Sequence, residues 1–107
     1  MLETLLQPND TDERCGLLLV DDTVVEIPNT SDDPVIGYLM DPIQVLPYLT
    51  AGKIKGTWHT HPNGSAVLSG QDLEGFLGWP DLVHYIVGRN KDVRCYKVQR
   101  GAVIQCG

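Results

Sequence analysis

Residues 53–62 read KIKGTWHTHP, and this stretch decides the fold because a strand-like run carries two histidines and stops at a proline. Side chains at positions i and i+2 of a β-strand leave the same face. His59 and His61 therefore project together, a few ångströms apart, whereas Trp58 and Thr60 face the other way. The stretch predicts a strand that presents two imidazoles near its carboxyl end.

The segment that follows has the start and stop signals of a helix. The hydroxyl of Ser69 can cap a helix, and Asp72 falls three residues later, where a carboxylate favours the first turn. Gly78 and Pro80 close the segment. We therefore expect a helix that begins at Ser69, directly after the histidine strand, so that Asp72 can turn back towards the two imidazoles.

The remaining apolar runs complete a mixed sheet. We expect a hairpin over residues 15–20 and 23–27 turned at Asp21-Asp22, further strands over 35–40, 82–87 and 93–98, and an edge strand over 102–105. Asp41 and Pro42 suit a helix start, and this helix should be short or irregular at Pro47 and end at Gly52. The prediction is one α/β or α+β sandwich domain over residues 1–107, with about two helices.

Charge and hydrophobicity exclude two classes of partner. The chain has 107 residues, 42% of them apolar, and a net charge of −6, with a pI of about 4.7. Its basic residues are sparse and mixed with acids, so nucleic acid is a poor candidate partner. No apolar stretch approaches the roughly 20 residues that span a bilayer, so a membrane is not expected either.

Cysteine use and the N-terminus point to a cytoplasmic location. Cys15, Cys95 and Cys106 are odd in number and form no Cys-x-x-Cys pair, which argues against a disulfide framework and against a thiolate zinc site. The chain begins Met-Leu-Glu-Thr and lacks the pattern of a secretion signal.

The histidine pair and Asp72 predict a catalytic rather than a structural metal site. Two imidazoles on one face of a strand can occupy two corners of a tetrahedral Zn²⁺ site, and Asp72 can supply a carboxylate oxygen. Two histidines and one carboxylate leave the fourth position to a water molecule. Such a water titrates near pH ~7 and is available for hydrolysis.

Hydrolysis also needs a base and a donor to the developing oxyanion. Glu13 is the best candidate for the base, because it precedes the apolar run 15–20 and would lie at the mouth of a neighbouring strand. Glu26, Glu74 and Glu3 are alternatives that spacing does not exclude. Ser69 is the natural donor to the oxyanion, whether or not it also caps the helix.

These residues resemble the motif of the JAMM metalloproteases, also called the MPN or Mov34/JAB family. That motif is an upstream Glu, then His-Ser/Thr-His-Pro, then Ser-x-x-Asp, and it corresponds here to Glu13, His59-Thr60-His61-Pro62, Ser69 and Asp72. The resemblance covers roughly residues 13–98, with softer similarity at Pro28-Asn29, Tyr38-Leu39-Met40-Asp41-Pro42 and Gly56-Thr57-Trp58. It implies a cytidine-deaminase-like three-layer sandwich, zinc ligands His59, His61 and Asp72, acid/base Glu13 and oxyanion stabiliser Ser69.

The resemblance also implies a class of partner. Residues 2–6 can form at most one turn of the family's N-terminal helix, and the chain is too short for the inserted loops that grip ubiquitin. A minimal prokaryotic or phage-type member is therefore expected. Its substrate would be a ubiquitin-like or sulfur-carrier protein tail, another isopeptide, or a peptide crosslink of the cell wall.

Three other functions are weaker alternatives on this sequence. A non-catalytic scaffold of the same fold is the main alternative, although here every ligand position is filled. A nucleoside or base deaminase would need His-x-Glu with Pro-Cys-x-x-Cys, which the sequence lacks. A Cys/His nucleophilic hydrolase has no local pattern in its favour around Cys15 or Cys95. The third histidine, His84, lies in an apolar run and is interpreted as a core residue.

Overall fold

The computed structural model describes residues 2–106, and within them the chain forms a mixed sheet with two α-helices. The sheet consists of β1 (Cys15–Leu19), β2 (Val24–Ile27), β3 (Ile54–Thr60), β4 (Val83–Val87), β5 (Val93–Gln99) and β6 (Ala102–Cys106). The helices are α1 (Pro42–Thr50) and α2 (Gly70–Leu77), and a 3-10 turn covers Leu2–Thr4. This architecture confirms the predicted α/β class.

The strand order explains how the histidines and the second helix come together. The order across the sheet is β2-β1-β3-β4-β5-β6, and only the β3–β4 pair within the described residues is parallel. Parallel neighbours need a crossover connection, and α2 provides it. The chain leaves β3 at its carboxyl end and enters α2 soon afterwards, so the start of α2 lies near His61.

Both helices cover one face of the sheet, and this face also carries His59. Around α1, the buried apolar side chains are Leu17, Leu19, Ile27 and Val45. Around α2, the corresponding group is Ala66, Phe76, Ile86 and Tyr96. His59 is fully buried between these two groups, and its ring centroid lies 6.0 Å from that of Phe76. The helix layer therefore shields the buried side of the candidate site from solvent.

The other face is closed around Trp58. Trp58 is fully buried, and its Nε1 donates to the backbone oxygen of Val25 over 3.2 Å. The indole lies directly against Gly16, where a Cβ atom would collide with it and with the Val25 oxygen. Arg14 points to this side as well, and its guanidinium donates to Leu5 O over 2.6 Å. Arg14 thereby ties the N-terminal segment to the sheet.

The predicted strand over residues 35–40 is wrong. Turn and irregular structure occupies this segment, apart from an isolated bridge between Asn29 and Met40. The Asp33 oxygen accepts from Ile36 N and Gly37 N, which turns the chain instead of extending it. Ile36 is 65% exposed, so its apolar character does not reflect a place in the sheet.

The first helix follows its sequence signals closely. Asp41 caps α1, and its side chain accepts from Ile43 N over 3.0 Å. Pro47 lies inside the helix without ending it, and Gly52 adopts a positive φ of 66° just after the helix. None of the helices in residues 2–106 has the length and apolar character needed to cross a membrane.

Candidate metal centre

Three predicted ligand side chains converge at the end of β3. His59 Nε2 lies 2.9 Å from Asp72 Oδ1, and His61 Nε2 lies 3.1 Å from Asp72 Oδ2. The two Nε2 atoms are 3.2 Å apart. Ligand atoms at the corners of a zinc tetrahedron are separated by about 3.3 Å, given zinc–ligand distances near 2.0–2.1 Å. The spacing of these donor atoms therefore fits a zinc ion.

Hydrogen bonding gives a second argument for a cation at this point. His61 Nδ1 lies 3.0 Å from the Ser65 carbonyl oxygen, which can only accept, so Nδ1 carries the hydrogen. A neutral His61 then turns the Nε2 lone pair towards the Asp72 carboxylate and the His59 Nε2 atom. Electron-rich atoms in this arrangement need a positive charge between them, either a proton or a metal ion.

A capping box places Asp72. Ser69 caps α2, and its hydroxyl oxygen accepts from Asp72 N over 3.1 Å. The Asp72 carboxylate in turn accepts from Ser69 N, also over 3.1 Å. Burial of Asp72 opposes its ionisation, but the hydrogen bonds with both histidines outweigh burial and hold its pKa well below the ordinary value. The side chain is therefore a carboxylate, as a metal ligand must be.

The two histidines differ in their protonation preferences. Burial lowers the pKa of His59, which favours the neutral imidazole that a metal requires. Burial acts in the same direction on His61, but its hydrogen bonds with Asp72 and the Ser65 carbonyl prevail and raise its pKa.

Glu13 is the predicted base, and it lies beside the imidazoles. One carboxylate oxygen of Glu13 and one nitrogen of each of His59 and His61 all lie within 4.8 Å of one another, a group that could hold a metal ion. Glu13 is only 8% exposed. Burial is the main cause that raises its pKa to about 7, while Asp72 raises it further and His61 opposes the rise.

The three alternative glutamates lie elsewhere. Glu26 is exposed on β2 and pairs with Arg14 over 2.6 Å. Glu74 is exposed on α2, and Glu3 belongs to the 3-10 turn before β1. Among the four candidates, Glu13 is the one that the fold brings to the histidine pair.

An open cleft joins the base to the serine. It has a volume of about 270 Å³, and Glu13, His61 and Ser69 line it together with Val35, Ile36, Pro62, Asn63 and Gly64. Ser69 uses its oxygen to cap α2, so its hydroxyl hydrogen remains available for a ligand in the cleft. A carbonyl group entering the cleft would meet a carboxylate, an imidazole and a hydroxyl donor.

His84 and Cys15, which could also take part in catalysis by their residue type, do not line this cleft. His84 is buried as expected: its Nδ1 pairs with Thr57 Oγ1 at 2.7 Å, and its Nε2 donates to Trp79 O over 3.0 Å. Burial, with the nearby Glu26 and Glu13, raises the pKa of the Cys15 thiol to about 12. Cys15 is therefore a poor nucleophile at neutral pH.

Several supporting residues were not identified as such from the sequence. Asn29 donates to Glu13 O over 2.7 Å and to Gly37 O over 3.1 Å, and thus fixes the backbone of the base. Tyr38 stacks on His59 with ring centroids 4.3 Å apart. Arg89 donates to Pro62 O next to His61, and also to Gln7 O and Asp10 O. Asn29 and Tyr38 lie in the short stretches of softer similarity to the family, whereas Arg89 lies outside those stretches.

Comparison with known proteins supports the motif-based interpretation. The family model described as prokaryotic homologs of the JAB domain matches residues 4–99. That range contains Glu13, both histidines of the pair, Ser69 and Asp72. A search of curated proteins returned no match.

Proposed function

The chain belongs to the family of prokaryotic homologs of the JAB domain, and from this we propose that it is a zinc-dependent peptidase or isopeptidase. The observation that carries the proposal is the convergence of His59, His61 and Asp72, with donor atoms 2.9–3.2 Å apart, beside the buried carboxyl group of Glu13. Asp72 is assigned as the third ligand because it contacts both imidazoles directly.

Zinc bound by these residues would supply a Lewis acid that lowers the pKa of water to about 7 and polarises a carbonyl oxygen. The protein supplies the proton transfers. Glu13 accepts a proton from the attacking water and returns it to the leaving amine. In the zinc-free chain burial raises the pKa of Glu13 to about 7, so the surroundings of this carboxyl group favour its holding a proton between the two transfers.

Ser69 completes the proposed reaction site. When water adds to an amide carbonyl, the carbonyl oxygen gains negative charge and needs a donor. The Ser69 oxygen already accepts from Asp72 N, so the oxygen is held in place while its hydrogen is free to turn towards a ligand in the cleft. The capping role and the oxyanion role are therefore compatible.

The substrate is proposed to be a peptide segment that can reach an open, shallow cleft. A flexible ubiquitin-like or sulfur-carrier protein tail would qualify, and so would a peptide crosslink of the cell wall. The apolar side chains Val35 and Ile36 form one wall of the cleft and are 42% and 65% exposed, which favours an apolar residue near the cleaved bond.

Two measurements test the proposal. Elemental analysis of the purified protein should give about one zinc per chain. Cleavage of ubiquitin-like fusion proteins or of muropeptides should disappear with a chelator and return with added zinc. A folded protein that binds no zinc would favour the scaffold function, and cleavage insensitive to chelators would refute the metal-dependent mechanism.

A further inference from the structure

The two histidines of the metal centre are held in different ways. His61 donates from Nδ1 to the Ser65 oxygen, which fixes both its ring orientation and its tautomer. His59 Nδ1 is buried and has no hydrogen-bond partner among the described residues. Metal-binding histidines usually donate their second nitrogen to an acceptor that orients the ring. Some other contact must therefore orient His59.

Tyr38 provides that contact. Its ring stacks on the His59 ring with an interplanar angle of 24° and a centroid distance of 4.3 Å. The other rings near His59 lie farther away and do not stack on it: His61 meets it edge-on at 5.0 Å, and Phe76 is tilted at 6.0 Å. A stacked ring at this distance restricts rotation of the imidazole out of its plane.

The loop that carries Tyr38 is itself tied to the backbone of Glu13. The Asn29 side chain donates to Gly37 O over 3.1 Å and accepts from Leu39 N over 3.0 Å. These two bonds hold the residues on either side of Tyr38. Because Asn29 also donates to Glu13 O, one amide side chain sets the backbone on both sides of the metal centre.

We propose that Tyr38 is a positioning residue of the metal centre, which holds His59 by stacking in place of the missing hydrogen bond. The inference rests on the proposed function, because it assumes that His59 Nε2 is a zinc ligand. Stacking needs the ring and not the hydroxyl group. An aromatic replacement should therefore preserve the site, and an aliphatic one should not.

The test is a zinc dissociation constant, measured by competition with a chromophoric chelator. For Tyr38→Leu we expect zinc binding about 10-fold weaker, at the lower end of the 10–100-fold loss typical when support of a metal ligand is removed. For Tyr38→Phe we expect a change below about twofold. The absorption spectrum of the Co²⁺-substituted protein should shift in the leucine variant only, because it reports ligand geometry.

Tyr48→Leu is the matched control. Tyr48 lies on α1 and packs against the apolar group around Val45, away from the histidines. Its replacement should lower the thermal midpoint but leave the zinc dissociation constant unchanged. If Tyr38→Leu does not fold, Tyr38→Met replaces it, since a long unbranched side chain fills the space without a ring.

The possible outcomes separate the two proposals. If the wild-type chain binds zinc and the leucine or methionine variant binds it equally well, the role of Tyr38 is refuted. Equal weakening in the phenylalanine variant would also refute it, because the hydroxyl would then matter and stacking would not. If the wild-type chain binds no zinc, the proposed function fails first.

Discussion

Replacement of Glu13 by glutamine separates the metal ligands from the base. The substitution keeps the size and shape of the side chain but removes its ability to accept a proton. His59, His61 and Asp72 contact one another without help from Glu13. We therefore expect Glu13→Gln to retain one zinc per chain and to lose catalysis.

The expected loss of activity is large. General acid–base catalysis by a positioned side chain contributes about 10²–10⁴-fold, so kcat should fall by about that factor. KM should change much less, because the amide of glutamine still fills the cleft. The assay is cleavage of whichever ubiquitin-like fusion or muropeptide the wild-type chain hydrolyses, together with zinc analysis of the same samples.

A second effect concerns the stability of the zinc-free protein. The pKa of Glu13 rises from 4.5 to about 7 on folding, so the folded chain binds more protons than the unfolded chain between these values. The contribution of Glu13 to stability should then fall as pH rises from about 4.5 to about 7 and stay level above that range. This contribution amounts to about 3 kcal/mol, and Glu13→Gln should remove it.

Denaturant titrations of zinc-free wild type and Glu13→Gln at pH 5 and pH 8 measure this effect. The variant should gain stability relative to wild type at pH 8, with little difference at pH 5. Glu74→Gln is the control, because Glu74 is exposed on α2 and outside the cleft. Full turnover by Glu13→Gln would refute the assignment of the base, and loss of zinc would instead make Glu13 a ligand.

Three further substitutions have defined outcomes. Ser69→Ala should lower the free energy of unfolding by about 1 kcal/mol, because a helix cap is lost, and should lower kcat about 10²–10³-fold. Asp41→Ala should cost the same stability without loss of kcat. Equal kcat in the two variants would exclude Ser69 from catalysis. Gly16→Ala should destabilise the chain by more than about 3 kcal/mol in urea, because a Cβ there collides with Trp58; a near-normal midpoint would contradict the packing. Arg89→Met removes hydrogen bonds to three backbone oxygens and should lower the free energy of unfolding in urea by about 2–3 kcal/mol. A loss below about 0.5 kcal/mol would show that these bonds do not hold the His61 loop.

The central part of the fold was predictable because its signals are local. The alternation in residues 53–62 placed His59 opposite Trp58, and the structure has both buried on opposite faces of β3. The cap at Ser69 and the stop at Gly78 gave α2 its limits to within a residue. A strand period and a helix cap each depend on residues a few positions apart, so the sequence alone displays them.

The segment between β2 and α1 was not predictable in the same way. Val35, Ile36 and Leu39 suggested a strand, yet they are exposed, and hydrogen bonds that Asn29 and Asp33 accept from backbone N–H groups shape the loop. An apolar run shows that burial or binding is favoured, but not whether a partner strand is within reach. Here only Met40 forms a bridge, with Asn29, and the turn at Asp33 directs residues 35–39 away from the sheet.

Contacts between segments that are distant in the sequence were the other features that could not be predicted. Arg89 lies 27 residues from Pro62 and 82 from Gln7, and its sequence neighbours give no sign of either contact. The stack of Tyr38 on His59 likewise depends on a loop conformation that Asn29 enforces. The residue types of a ligand set can be read directly from the sequence. The residues that hold those ligands in place cannot be read in the same way, because their contacts form only once the sheet has been assembled.

The parallel β3–β4 pair explains why the site lies where it does. A crossover must return the chain to the opposite end of the sheet, and the helix that does so has to start beside the carboxyl end of β3. A carboxylate in the first turn of that helix can therefore reach side chains at the end of β3. Because β1 runs antiparallel to β3, its amino end lies at the same edge, which brings Glu13 to the histidines. The two pairing directions thus bring Glu13 to His59, which follows it by 46 residues in the sequence, at the edge of the sheet where α2 begins.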